Sequence, residues 1–402
     1  MGVRTVLLFA LAIAVWSPVV ARAQEPPPPA PKGDAPRDPG DPSFPGSWAI
    51  FGTNTRMKIG GYVKADFLYD FDGTLDRKQF LMSTIPVEGT PEHANSGYVS
   101  FFANETRFNI DVRHTEPEKP AVKVFMEGDL WPAGQFRLRH AYIQYGNLTG
   151  GQTWTTLSIL ESLPSLIDFA AGDALFGGRT TQIRYQWQLN ARWKVATAVE
   201  SLDFMGIENP NNLAGEPSAA MPLLVVRVDR TWKSGMLAFG SSVGQLRWDG
   251  GATGPDATAL QVDGVFAGRQ NLGPSDTFLW NLSAGKGSGE NIMAFTGSLA
   301  NAVLTEDGHL DTIPAYALVL SLIHEWSVDL TSNASVAYGW LDTPETRDDF
   351  ALLRGGVAHV NVIWHPTETF STGVEYIWGV QRTTNLAFGR ASRIQWMMKA
   401  QF

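Results

Sequence analysis

From Met57 onward the chain alternates with a period of two. Met57, Ile59, Gly61, Val63, Ala65, Phe67, Tyr69 and Phe71 fall on one face, with Lys58, Gly60, Tyr62, Lys64, Asp66, Leu68 and Asp70 on the other. Successive side chains of a strand point to opposite faces, so the pattern predicts one apolar and one polar face. The strand would be about 15 residues long, well beyond the usual five or six, and of a length suited to a tilted membrane crossing. The pattern recurs. Phe108, Ile110 and Val112 oppose Arg107, Asn109, Asp111 and Arg113; Val122, Val124 and Met126 oppose Lys123, Glu127 and Asp129; Ile183, Tyr185, Trp187 and Leu189 oppose Gln182, Arg184, Gln186 and Gln188.

Sixteen such segments are predicted, at 57–71, 99–113, 121–130, 136–145, 148–157, 179–189, 193–201, 221–232, 236–248, 258–270, 277–285, 313–325, 328–341, 350–363, 370–380 and 390–402. Their connections alternate between long (72–98, 158–178, 202–220, 286–312) or middling ones and short ones such as 146–147, 190–192, 233–235 and 365–369, with 131–135 as a short exception on the long side. A transmembrane barrel shows this asymmetry, with its apolar face toward lipid and its polar face toward a wet lumen. Trp193, Trp232, Trp326 and Trp364 stand at the short-turn ends, and Trp131, Trp248 and Trp340 at the long-loop ends, as two interfacial belts would require. The last strand alternates Ile394, Trp396, Met398, Ala400 and Phe402 with Arg393, Gln395, Met397, Lys399 and Gln401. A chain ending on Phe402 in this way resembles the assembly signal of bacterial outer-membrane barrels, so the barrel-assembly machinery is the expected partner in biogenesis. Its last strand must close against the first, because an open edge in lipid leaves backbone groups unpaired.

Composition narrows the reading. Charged residues are 18% of the 402, against roughly 25% in soluble proteins, while Gly reaches 40 and Trp 14 at a mean hydropathy of −0.10. Cysteine is absent, which excludes disulfides, thiolate metal sites and Cys nucleophiles. A net charge of −9 excludes nucleic-acid binding through a basic patch.

Arg4, the apolar run Val6–Trp16 and Ala21-Arg22-Ala23 predict a signal peptide over 1–23, too short to span a bilayer. Residues 24–50 begin as a Pro-rich periplasmic segment, and 51–402 form the barrel domain. No cofactor is implied.

Several blocks, in order, resemble the DcaP-like outer-membrane porins. They are Gly52-Thr53-Asn54-Thr55 with Lys58-Ile59-Gly60-Gly61-Tyr62-Val63-Lys64; Ser83-Thr84-Ile85-Pro86-Val87-Glu88-Gly89; and Leu138-Arg139-His140-Ala141-Tyr142-Ile143-Gln144-Tyr145-Gly146. Gly151-Gln152-Thr153-Trp154-Thr155-Thr156, Leu163-Pro164 with Leu166-Ile167-Asp168-Phe169, and Gln182-Ile183-Arg184-Tyr185 complete the series, which covers roughly 50–190. The resemblance implies a homotrimer of sixteen-stranded barrels in outer-membrane lipid, admitting small, mostly anionic solutes such as dicarboxylates. Relatives with a helical, coiled-coil-like N-terminal extension differ from the Pro-rich segment here.

In sixteen-stranded porins the connection after the fifth strand folds inward and narrows the lumen. Here that connection holds apolar Leu160, Leu163, Leu166, Ile167 and Phe169, expected to pack on the wall, and Glu161, Asp168 and Asp173, expected to stay exposed. The inward faces of the other strands carry Lys64, Arg107, Arg113, Lys123, Arg137, Arg139 and Arg184. Arg remains charged and can grip a carboxylate with two hydrogen bonds, so such a cluster favours anion passage. The same cations could instead pair with Asp111, Glu127 and Asp129 to stabilise the wall. The expected function is passive diffusion; the alternatives are an outer-membrane barrel enzyme and a soluble β-rich binding or adhesion protein. Asp70-Phe71-Asp72-Gly73-Thr74-Leu75 copies a phosphatase motif, but without the alternating helices that fold needs; it is read as the acidic start of an outer loop, with weak calcium binding left open. His residues occur in no H-E-x-x-H, and G-x-S-x-G is absent.

Overall fold

The computed structural model describes residues 41–402 except 53, 171, 204, 345 and 346. The expected signal peptide and most of the Pro-rich segment lie outside the described residues. Sixteen antiparallel strands form a sheet that closes on itself. In chain order they are β1 Thr55–Asp70, β2 Tyr98–Phe102 continued by Arg107–His114, β3 Val122–Asp129, β4 Arg137–Tyr145 and β5 Leu148–Trp154. Next come β6 Arg179–Gln188, β7 Trp193–Glu200, β8 Leu223–Trp232, β9 Gly235–Asp249, β10 Ala257–Asn271 and β11 Asp276–Lys286. The last five are β12 Pro314–Glu325, β13 Leu330–Leu341, β14 Leu352–Thr367, β15 Phe370–Thr383 and β16 Phe388–Gln401. Each corresponds to a segment predicted from the alternation, with ends shifted by a few residues.

β1 closes the barrel. It pairs with β16 from Tyr62↔Gln401 to Asp70↔Arg393 and with both halves of β2 along its other edge. The backbone ladder therefore runs from strand to strand around the described barrel and back to β1, which is what lipid demands. At Gly61 the backbone φ is +150°, and a Cβ there would lie 2.2 Å from the Arg107 carbonyl oxygen. Only glycine lets β1 and β2 approach this closely. Residues 103–106 interrupt β2, which the alternation had predicted as continuous.

The two faces of the wall are inverted relative to a soluble protein. Val63, Phe101, Ile110, Ile183, Val360 and Trp378 are exposed on the outside, while Lys64, Asp66, Asp129, Gln261, Asn333 and Glu375 are buried inside. Among the described residues no helix is long and apolar enough to cross a membrane; the strands supply the apolar belt. Trp193, Trp232, Trp326, Trp364 and Trp340 are exposed, as the belts require. Trp131 and Trp248 correct the prediction, since both are buried. Trp131 stacks on Phe169 of the inward-folded connection at 3.9 Å, and Trp248 continues the inward face of β9 after Leu246, its Nε1 donating to the Ala214 carbonyl at 3.0 Å.

The long connections fill part of the interior. Phe80, Met82, Ile85, Ile159, Phe176, Ile292 and Phe295 join Val225, Leu246, Val319, Val357 and Ile377 of the inner wall in one apolar cluster. Each large side chain buried this way contributes about 1.5–3 kcal/mol, enough to hold a loop against its loss of entropy when several act together. The connection 287–313 also folds inward. It is zipped to 155–178 by Gly177 N–H donating to the Asn291 carbonyl at 2.7 Å and Met293 N–H donating to the Leu175 carbonyl at 3.0 Å.

Candidate functional site

The inward faces of β1–β4 and β16 carry a cluster of basic residues, among them Lys64, Arg107, Arg137, Arg139 and Lys399. Strand alternation brings Lys64 opposite Lys399 and Tyr62 opposite Arg107, and Arg107 opposite Asp129. Arg137 and Arg139 lean on the acids of β3. Arg137 Nη2 lies 2.8 Å from Asp129 Oδ2, while Arg139 bonds Asp129 and Glu127, each at 2.9 Å. Arg113 and Lys123 share Asp111, at 2.9 and 3.4 Å. The wall-pairing role is thus real for these four.

Two cations keep more of their charge for the lumen. Arg107 approaches Glu105 only at 3.8 Å, and its Nε is buried without a hydrogen-bond partner. Among the described residues Arg184 makes no ion pair, and its Nε is likewise unpartnered. A buried guanidinium with unused donors is electrostatically strong, because little water screens it.

The connection 155–178 crosses the interior from this wall to the far one. Lys64 Nζ donates to the Ile167 carbonyl at 2.7 Å on β1. Glu375 of β15 accepts the Ile167 and Asp168 N–H groups at 2.8 and 3.0 Å, and Asn361 of β14 donates to the Ser165 carbonyl at 2.8 Å. Asn281 of β11 reaches Ser162 Oγ at 3.1 Å, and Arg227 of β8 reaches the Ser158 carbonyl at 3.2 Å. Its Phe169 ring, stacked on Trp131, also lies beneath the Arg137 guanidinium.

The expected row of exposed acids on this connection is corrected. Only Glu161 is exposed, paired with Arg227 at 3.1 Å. Asp168 and Asp173 are buried, and they act as anchors. Asp168 accepts the N–H groups of Phe80 and Ala170 and lies 4.0 Å from Arg393. Asp173 meets His359 Nε2 at 2.8 Å, while the other ring nitrogen meets Glu375 at 3.1 Å. Burial pushes Asp168 up to about 7 against the pull of Arg393, and raises Asp173 as well, opposed by His359. The apolar expectation is also reversed in part: Ile167 is buried, but Leu160 and Leu163 are exposed. In a loop pinned through its backbone, the pinning sites decide which side chains turn inward, and hydropathy does not.

Sequence reading missed Glu105, Lys399, Arg227, His359, Glu375 and Arg393 as members of this network. Glu105 was hidden by the unpredicted break in β2, which turns it onto Lys64 and Tyr62. Lys399, Arg393, His359 and Glu375 were legible as inward positions of alternating strands, but nothing in the pattern showed which of them meet the loop.

The phosphatase-like Asp70 is occupied. Its carboxylate accepts N–H groups of Asp72, Gly73 and Thr74 and pairs with Arg393. It caps the turn into the outer loop. Among the described residues no cluster of His, Asp and Glu is arranged to hold a metal ion.

A closed sixteen-stranded barrel with an apolar outer face and a charged interior defines a β-barrel of the bacterial outer membrane. Residues 46–402 match the model of the DcaP outer membrane protein family, and the chain belongs to that family. No curated protein matches the chain. Among solved structures it is similar to the outer membrane channel DcaP of Acinetobacter baumannii, with a TM-score of 0.75 at 17% identity over 88% of this chain and 100% of that one. It is also similar to an anion-selective porin from Comamonas acidovorans, with a TM-score of 0.60 at 9% identity over 87% and 100%. OmpT, an outer membrane protein of Vibrio cholerae, has a TM-score of 0.54 at 12% identity over 88% and 99%.

Proposed function

We propose that the protein is an outer-membrane channel for passive diffusion of small hydrophilic anions, dicarboxylates among them, into the periplasm. The observation that carries this reading is the position of the connection 155–178. It is bonded to β8, β11, β14 and β15 on one side and through Lys64 to β1 on the other, and the cations left partly exposed beside it are Arg107 and Arg137, whereas Lys64 and Arg139 are buried in ion pairs behind them. A solute carboxylate passing there meets guanidinium groups whose own counter-ions are fixed in the wall. It exchanges hydration for charge-assisted hydrogen bonds without being held by a deep cage, which is what diffusion needs. Transport down a gradient requires no cofactor. In this reading Glu161 faces the passage, whereas Asp168 and Asp173 hold the loop that shapes it.

The further proposals are a homotrimer, export by a signal peptide over 1–23, and assembly by the barrel-assembly machinery through the Phe402 strand. Liposome swelling tests the solute class. Proteoliposomes should admit a small dicarboxylate several-fold faster than an uncharged sugar of similar size. Equal rates, or faster sugar entry, would overturn the anion reading.

A further inference from the structure

Residues 41–49 precede β1 at the short-turn end of the barrel and lie against its inner wall. Phe44 belongs to no strand, yet it is only 5% exposed. The guanidinium of the inward-facing Arg113 sits 3.8 Å from its ring centroid, within the range of a strong cation–π contact. The arm is fixed on the β1 side as well. Trp48 and Ala49 pair with Met57 and Arg56, and Arg56 donates to both the carbonyl and the hydroxyl of Ser47 at 2.8 Å. Between the arm and the wall remains a cavity of about 500 Å³, lined by Phe44, Lys58, Tyr62, Asp111, Arg113 and Gln401. A chain segment that merely connects would leave the short-turn end directly into water. This one places an aromatic ring on a pore-facing cation.

We propose that the arm 41–49 is a second constriction at the short-turn mouth, with Phe44 the residue that sets its width and its preference for anions. The inference rests on the channel reading above. Asp111 occupies Nε and Nη2 of Arg113, and Phe44 covers the guanidinium face. The cation is thereby engaged on one edge and one face, with about a third of its side chain left exposed. Lys58 lines the cavity and Lys123 reaches the same Asp111 at 3.4 Å, so an anion leaving the basic wall meets two lysines and a ring instead of an open guanidinium.

The test is single-channel conductance and zero-current potential of the full-length protein and of Phe44→Ala and Phe44→Trp in planar bilayers under a KCl gradient. Phe44→Ala should raise conductance by roughly 1.5- to 2-fold and increase anion preference by uncovering Arg113, and Phe44→Trp should lower conductance. Heat-modifiable folding on gels shows that each barrel is intact. A conducting parent with an intact Phe44→Ala barrel of unchanged conductance and selectivity overturns the role of the arm alone. A parent that passes no current overturns the channel reading and this inference with it.

Discussion

Arg393 of the last strand and Asp70 of the first face each other across the seam that closes the barrel, with Nη2 3.0 Å from Oδ2 and both side chains fully buried. The same guanidinium donates to Thr74 Oγ1 and the Asp76 carbonyl at 2.7 Å and to Tyr98 Oη at 3.0 Å. The seam, the start of the first outer loop and β2 are therefore held by one cation. Replacing Arg393 with Ala leaves the Asp70 charge buried and unpaired, at a cost of about 3–5 kcal/mol. The midpoint of heat modification on gels should fall by many degrees. A midpoint equal to the parent's would show that the seam does not depend on the pair.

Gly61 makes a different kind of contribution to the same seam. Gly61→Ala would push a Cβ into the Arg107 carbonyl oxygen and force a left-handed backbone on alanine. Folding yield in detergent should drop severalfold, whereas Gly150→Ala, where a Cβ meets nothing within 4 Å, should be neutral. Equal yields from the two variants would contradict this account of the close approach.

Seating of the connection 155–178 should depend on pH through Asp168. Burial lifts this carboxyl to about 7, whereas in a released loop it returns toward its ordinary 3.8. The seated state then holds a proton that the released state has lost. Stabilisation of the seated loop is accordingly full below about pH 4 and is lost as pH rises through about 7. Asp173, also raised, acts in the same direction. Amides of 160–175, corrected for intrinsic rates, should exchange with deuterium faster at pH 8 than at pH 5. Slower exchange at pH 8 would mean that Arg393 keeps Asp168 ionised when seated.

The two sorts of arginine should separate by mutation. Arg107→Gln should lower anion preference with little loss of stability, because its nearest acid is 3.8 Å away. Arg139→Gln strips both Glu127 and Asp129 of a partner that is itself buried, so it should destabilise the barrel by about 3–5 kcal/mol. Thermal melts and zero-current potentials on the same two variants check this. Matching profiles would deny the distinction.

Most of the fold was legible because a barrel wall writes itself into the chain as a strict period of two. Lys64 and Arg107 were placed on the inner face by counting alone. What alternation cannot show is the path of a segment that leaves the wall. Asp168 and Asp173 were read as exposed from their charge, yet they are buried against Arg393 of β16 and His359 of β14, residues far along the chain that the fold brings to them. The break at 103–106 was written in the chain as a change of phase that a single long strand overlooks: Val99 and Phe101 face outward at odd positions, Phe108 and Ile110 at even ones, and Glu105 between them pairs with Lys64. Phe44 had no periodic neighbours to give it a face.

The central claim, that the passage follows the basic wall, is tested most directly by the zero-current potential of the purified protein in a planar bilayer under a KCl gradient. The account predicts discrete conductance steps and a potential of anion-selective sign that moves toward zero in Arg107→Gln. Steps of cation-selective sign would contradict it, because the acids Glu105, Glu127 and Glu161 would then govern the passage.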